Sequence, residues 1–152
     1  MSDFSHNTRK KVLVIEDDIG LVRTLNNLLQ IEGYDVITAS DGDAAIRIAF
    51  SEMPDLIICD IVMTKINGYD VLRVLKNATK TSRIPFIYLT GKVKEKEKQY
   101  GLQLGADEYM CKPFEYDDLL ETITRLLSPQ DTHKSQIFKQ LGDGPKFSFL
   151  SF

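Results

Sequence analysis

Asp55-Leu56-Ile57-Ile58-Cys59-Asp60 is an apolar run of strand length that stops on a carboxylate, and its reading decides the fold. Six extended residues span roughly 20 Å. An apolar run without period-2 alternation suits a parallel strand covered by helices on both faces. Asp60 then stands at the carboxyl end of the strand, the edge at which open parallel sheets bind ligands.

On the N-terminal side, Lys11 to Glu16 reads as a short strand, and Leu21, Val22, Leu25, Leu28 and Leu29 follow at helical spacing until Gly33 supplies a cap. Tyr34 to Ala39 is a second strand. Asp41 caps a helix that turns Ala45, Ile46 and Ala49 inward until Pro54 ends it. Beyond the central strand, Val71, Leu72 and Leu75 make a third helix, and Ile84 to Leu89 a fourth strand. Lys92 to Leu102 reads as a fourth helix whose opening charges, Lys94 to Lys98, form a solvated face. After Gly105, Asp107 to Lys112 is a fifth strand. Leu119, Leu120, Ile123, Leu126 and Leu127 then line a fifth helix, with Asp117 and Asp118 at its positive end. Five strands alternating strictly with five helices predict an α/β fold, one doubly wound parallel sheet, because each parallel crossover needs a helix and is right-handed.

Length and composition set limits on function. At 152 residues, 43% hydrophobic and 27% charged, the chain has the make-up of one globular domain. A net charge of -3 offers no basic footprint for nucleic acid or an anionic membrane. No apolar stretch is long enough for a bilayer, and Val12 to Ile15 is too short for a signal-peptide core. Cys59 and Cys111 read as small core residues of a protein in the reducing cytoplasm.

The strand-to-helix junctions of one edge carry Glu16, Asp17 and Asp18, then Asp60, Thr90 and Lys112. Any one of them could be a loop solubiliser or a helix cap. Together they converge on one rim. Crowded carboxylates raise one another's pKa unless a cation neutralises them. Glu16, Asp17 and Asp60 against Lys112 leave two negative charges uncompensated, which matches one divalent ion. Oxygen-only ligands favour a hard cation such as Mg²⁺.

With Val14-Ile15-Glu16-Asp17-Asp18, Asp60 followed eight residues on by Gly68, Leu89-Thr90-Gly91 and Lys112-Pro113-Phe114, the chain resembles a response-regulator receiver domain over about residues 10–128. This is the CheY-like phosphoacceptor module of two-component signalling, with a flavodoxin-like sheet in the order 2-1-3-4-5. The resemblance implies that Asp60 accepts the phosphoryl group and that Glu16, Asp17, Asp60 and the Val62 backbone carbonyl hold Mg²⁺. It makes Thr90 and Lys112 the hydroxyl and ammonium that contact the phosphoryl group, with Thr90 and Tyr109 as switch residues. Tyr109 is expected to move inward on phosphorylation, altering a surface made by the fourth helix, fifth strand and fifth helix. The resemblance further implies a cis peptide at Lys112-Pro113. Gly91 leaves room beside Thr90 for the donor. Thr64, where the family often has proline, departs from the pattern without removing a ligand. In the implied strand order, the third and fifth strands are roughly 9.5 Å apart, too far for a Cys59–Cys111 disulfide.

The expected partners are a sensor histidine kinase or histidine phosphotransfer protein and a downstream protein target, with no direct contact to nucleic acid or membrane. The expected activity is self-catalysed phosphoryl transfer with slow autodephosphorylation rather than enzymatic turnover. The rival, a Mg²⁺-dependent phosphohydrolase, commonly has a second acid two residues after its nucleophile, where this chain has Val62. A receiver cut from a longer multidomain regulator is the other alternative.

The organisation expected is an N-terminal lead, 1–9, the receiver, 10–128, and a C-terminal extension, 129–152. His133 in the extension reads as solvated. Ile137, Phe138 and Leu141 share a helical face, and three of the eight phenylalanines lie in the last six residues. At roughly 1.5 to 3 kcal/mol for each buried aromatic, these rings should dock on the receiver or on a second copy as a homodimer. Truncation after Ser128 is therefore expected to change mass in sedimentation or lower stability. Tail amides exchanging at unprotected rates, with neither quantity altered, would refute docking.

Overall fold

The computed structural model describes residues 9–91 and 94–128. Most of the N-terminal lead, Lys92 and the whole C-terminal extension, His133 included, lie outside the described residues. Contacts divide the chain into two units, Met1–Glu115 and Tyr116–Phe152.

The first unit carries β1 (Lys11–Ile15), α1 (Ile19–Ile31), β2 (Asp35–Ala39), α2 (Gly42–Glu52), β3 (Leu56–Cys59), α3 (Gly68–Lys76), β4 (Phe86–Thr90), α4 (Glu95–Gln103) and β5 (Glu108–Cys111). Its sheet is wholly parallel, in the order β2-β1-β3-β4-β5. The described part of the second unit is α5 (Tyr116–Leu127), in which Leu119 and Ile123 are buried and Asp117 and Asp118 occupy the first turn.

The central strands are apolar throughout because both of their faces are covered. Leu13, Ile15, Ile57, Cys59, Phe86, Tyr88 and Tyr109 join one buried cluster with Ala45 and Ala49 of α2 and Val71, Leu72 and Leu75 of α3. The alternate residues Val12, Val14, Leu56, Ile58, Ile87 and Leu89 are equally buried and point to the opposite face. Leu25 and Leu29, the buried residues of α1, lie outside that cluster.

Short polar side chains start the helices as expected. Asp18, Asp41 and Asn67 accept hydrogen bonds from the amides of Leu21, Ala44 and Asp70. Gly33 and Gly105, at φ +100° and +116°, take the left-handed conformation that ends α1 and α4.

The strands are shorter than the apolar runs. β3 has four residues rather than six, since Asp55 turns its carboxylate to the Lys11 amide at 2.8 Å and Asp60 leaves the ladder after its amide bonds Ile15. β4 begins at Phe86 rather than Ile84, because Pro85 has no N–H for the ladder. α4 begins at Glu95, with Lys94 as its N-cap residue.

One contact fixes the loop after β3. A Cβ on Gly68 would stand 2.4 Å from the Asp60 carbonyl oxygen, a distance that rigid backbone cannot accommodate. Gly68→Ala is expected to destabilise the fold by about 1–3 kcal/mol, read from urea midpoints. Gly91→Ala, whose Cβ would meet nothing within 4 Å, should stay within about 0.5 kcal/mol.

Candidate functional site

Strand register assembles the site. Ile15 of β1 pairs with Cys59 of β3, and the Asp60 amide donates to the Ile15 carbonyl at 3.0 Å, so Glu16 and Asp60 leave the sheet side by side. Thr90 pairs with Cys111, and the Lys112 amide donates to the Thr90 carbonyl at 2.9 Å. The peptide from Lys112 to Pro113 is cis.

Lys112 spans the gap between these pairs of strands. Its Nζ donates to Glu16 Oε1 at 2.9 Å and to Asp60 Oδ2 at 3.4 Å. Both carboxylates are sunk in the structure, Glu16 3% and Asp60 7% exposed, whereas Asp17 is exposed. Backbone amides hold the remaining oxygens: Asp18 N–H donates to Glu16 Oε2 and Val62 N–H to Asp60 Oδ1.

Burial pushes the Glu16 carboxyl above the ordinary range, and the Asp60 charge adds to the effect. The hydrogen bond from Lys112 offsets only part of it. Burial by itself would lower the Lys112 ammonium, but its hydrogen bond to Glu16 and the charge of Asp60 hold it above the usual lysine value. Lys112 therefore remains a cation.

Oxygens of Glu16, Asp17 and Asp60 lie within 4.8 Å of one another. Three acidic groups with one ammonium among them make an oxygen-only, electron-rich cluster, and that donor set fits a hard divalent cation. Val62 sits beside it with its side chain 55% exposed and its amide on Asp60. Thr90 is completely buried at the end of β4, and Gly91 beyond it is exposed. The structure thus gathers Glu16, Asp17, Asp60, Val62 and Lys112 around one carboxylate, with Thr90 on the strand next to Lys112.

Tyr109 lies inside, 5% exposed, and its ring meets Tyr88 edge-to-face at 5.9 Å, the inward position expected of the switch residue after phosphorylation. The sequence reading also passed over Tyr69 and Tyr88. Tyr88 donates to the Gly68 carbonyl at 3.1 Å, and Tyr69 donates to the Glu97 carbonyl at 3.2 Å. A tyrosine inside an apolar strand, and another directly after a glycine that starts a helix, were the available signals. Cys59 is buried, with its thiol pushed well up by desolvation and donating to the Asp60 carbonyl, while Cys111 is half-buried; neither is in a disulfide.

Comparison with known proteins agrees with this arrangement. Residues 12–124 match the family described as the response regulator receiver domain. The chain is 45% identical over 105 residues to the alkaline phosphatase synthesis transcriptional regulatory protein PhoP of Bacillus subtilis, covering 69% of this chain and 43% of that protein. It is 35% identical over 130 residues to the response regulator SaeR of Staphylococcus aureus, covering 86% of this chain and 56% of that one. This chain therefore spans about half the length of these curated relatives. The crystal structure of chemotaxis protein CheY4 of Vibrio cholerae superposes with a TM-score of 0.75 at 32% identity, covering 79% of this chain and all of that one. A parallel sheet in this order, its acidic strand ends bridged by one lysine, and a family match over most of its length lead to one conclusion: the chain belongs to the response-regulator receiver domains of two-component systems.

Proposed function

We propose that Asp60 accepts a phosphoryl group from a sensor histidine kinase or histidine phosphotransfer protein, with Mg²⁺ as the divalent cation, and that the modified domain signals by contact with a downstream protein target in the cytoplasm. The observation that carries this reading is the Asp60 carboxylate itself: sunk to 7% exposure, 3.4 Å from the Lys112 ammonium, and within 4.8 Å of two further acids.

The chemistry follows from these positions. An Asp60 oxygen forms a bond to phosphorus as the P–N bond of a phosphohistidine breaks, and the imidazole leaves with the electron pair and is protonated. Such a transfer needs positioning and charge neutralisation more than covalent assistance. Val62 N–H orients the carboxylate, Lys112 offers its ammonium to the incoming oxygens, and Thr90 supplies a hydroxyl from the neighbouring strand. Glu16, Asp17, Asp60 and the Val62 carbonyl would hold Mg²⁺, whose contribution is to neutralise charge building on the phosphoryl oxygens. Thr90 and Tyr109 would report the new charge to the surface around α4 and β5. Turnover of an external substrate is not part of this reading, and slow loss of the phosphoryl group to water would reset it.

The match over 12–124 supports taking 10–128 as one receiver domain, with 1–9 as its lead and 129–152 as its extension. The greater length of PhoP and SaeR favours a second reading, in which this chain is the receiver of a longer regulator. Sequencing the natural coding region beyond Phe152 separates the two. Among the described residues no helix is long and apolar enough to cross a membrane.

Treatment with a small acyl-phosphate donor and Mg²⁺ is expected to add one phosphoryl group by intact mass. Asp60→Asn and excess chelator should each abolish it, and an equal adduct in either would overturn the assignment. Metal titration gives an independent check. Asp17→Asn is expected to weaken Mg²⁺ binding by at least roughly tenfold and by more than Glu16→Gln, because Glu16 is already engaged by Lys112. The opposite ranking would assign the direct ligand to Glu16.

A further inference from the structure

One cavity begins where the acidic rim ends. About 280 Å³ in volume, it is lined by Ile61, Val62, Met63, Asn67, Tyr69 and Glu97, so its walls come from the loop after β3, the start of α3 and the first turn of α4. That volume is at the lower end for ligand pockets, with room for a side chain or two rather than a cofactor. Most of the lining is apolar. Ile61 is buried, Met63 and Tyr69 are half-buried, and Val62 stands open to solvent. An unbranched methionine beside an exposed valine makes a surface that adapts to an apolar partner.

Glu97 is the one charged group in this lining. Its Oε1 is sealed from solvent and has no hydrogen-bond partner among the described residues. Lys94, Lys96 and Lys98 share its helix, yet no ion pair to Glu97 forms among the described residues. The Tyr69 hydroxyl is spent on the Glu97 backbone carbonyl and not on its side chain. A carboxylate that has lost water at one oxygen and gained no donor is an unmet demand for a cation. Its charge is shared by both oxygens, so an ammonium or guanidinium entering the cavity satisfies it, whereas an anionic or neutral occupant does not. Asn67 adds a second polar group. Its side-chain oxygen accepts the Asp70 amide at 3.0 Å, which leaves its NH₂ to donate to a peptide carbonyl.

We propose that this cavity docks a segment of a partner protein that carries one arginine or lysine beside an apolar residue. The basic head meets Glu97, the apolar neighbour covers Val62 and Met63, and the segment's backbone meets Asn67. Lys94 and Lys96 stand exposed on the same turn of helix and repel a run of basic residues, so the site selects a lone cation in an apolar context. The surface belongs to the unmodified chain and does not rest on the phosphoacceptor reading of Asp60.

The test is an amide-NMR titration of the full chain, without any phosphoryl donor. Its probes are N-acetylated, C-amidated Leu-Arg-Leu and two counterparts with citrulline or glutamate in place of arginine. The arginine peptide is expected to shift the amides of Ile61, Val62, Met63, Asn67 and Glu97. It should bind about tenfold more tightly than the citrulline peptide, the worth of one charge-assisted hydrogen bond, and the glutamate peptide should be weakest. Glu97→Gln should erase the preference for arginine and leave the urea midpoint unchanged or raised, since the charge it removes has no partner in the chain. Glu97→Lys should turn the preference toward glutamate. Absence of binding, shifts confined to another face, or an arginine preference that survives Glu97→Gln overturns the proposal. A lowered midpoint in Glu97→Gln would reveal a partner within the chain and equally overturns it. Dimerisation seen by sedimentation and lost in Glu97→Gln would make a second copy the occupant, against the proposal. Failure of the wild type to accept a phosphoryl group would count against Asp60 and leave this site standing.

Discussion

The ammonium of Lys112, set between Glu16 and Asp60, is the interaction on which the site depends. Two like charges about 4 Å apart repel by roughly 4 kcal/mol at an effective dielectric near 20, and both of these carboxylates have little access to water. One lysine relieves that repulsion, and it reaches both acids because it follows β5 while they follow β1 and β3. Buried ion pairs of this kind are weak contributors to stability, since desolvation offsets most of the attraction. Their value here lies in placement. The parallel sheet brings three strand ends to one rim, and the hydrophobic core beneath supplies the stability that the charges do not.

The rim was legible in the sequence because it follows from one-dimensional patterns. Apolar runs that end on Glu16, Asp60, Thr90 and Lys112 mark strand ends directly, and in-register parallel pairing brings those ends together. The element boundaries were less so. Asp55 was read as part of the central strand, but its carboxylate serves the Lys11 amide; Ile84 was read into the fourth strand, but Pro85 interrupts the donors. The tyrosine cluster was not legible at all. Tyr69, Tyr88, Tyr100 and Tyr109 come from α3, β4, α4 and β5, and no spacing rule states that their rings will meet edge-to-face. Tyr109 illustrates the limit: its inward position depends on what the elements around it contribute, among them the Tyr88 ring and Gly101.

α4 and α3 show two ways of attaching a helix. α3 buries Val71, Leu72 and Leu75, and its attachment is spread over many non-directional contacts. α4 buries only Gly101 and relies on ring edges, the Tyr69 hydroxyl on the Glu97 carbonyl and the Arg73 guanidinium on the Tyr100 hydroxyl and ring, contacts that are directional. Loss of a single directional contact alters such a helix more than loss of one methyl group alters a greasy one. Among the described residues α4, whose Gly101 lies beside the Tyr109 ring, is therefore the helix with the fewest buried residues.

The two cysteines have a practical consequence. Cys59 is sealed beneath Asp60, with its thiol kept protonated by burial, whereas Cys111 is half-open to solvent one residue before the bridging lysine. Cys111 packs against the core cluster yet is the more accessible of the two thiols, so a maleimide dye is expected to favour it over Cys59 on the native chain. The protein carries its own attachment point for an optical reporter, next to the acidic rim, with no cysteine to engineer in and none to remove.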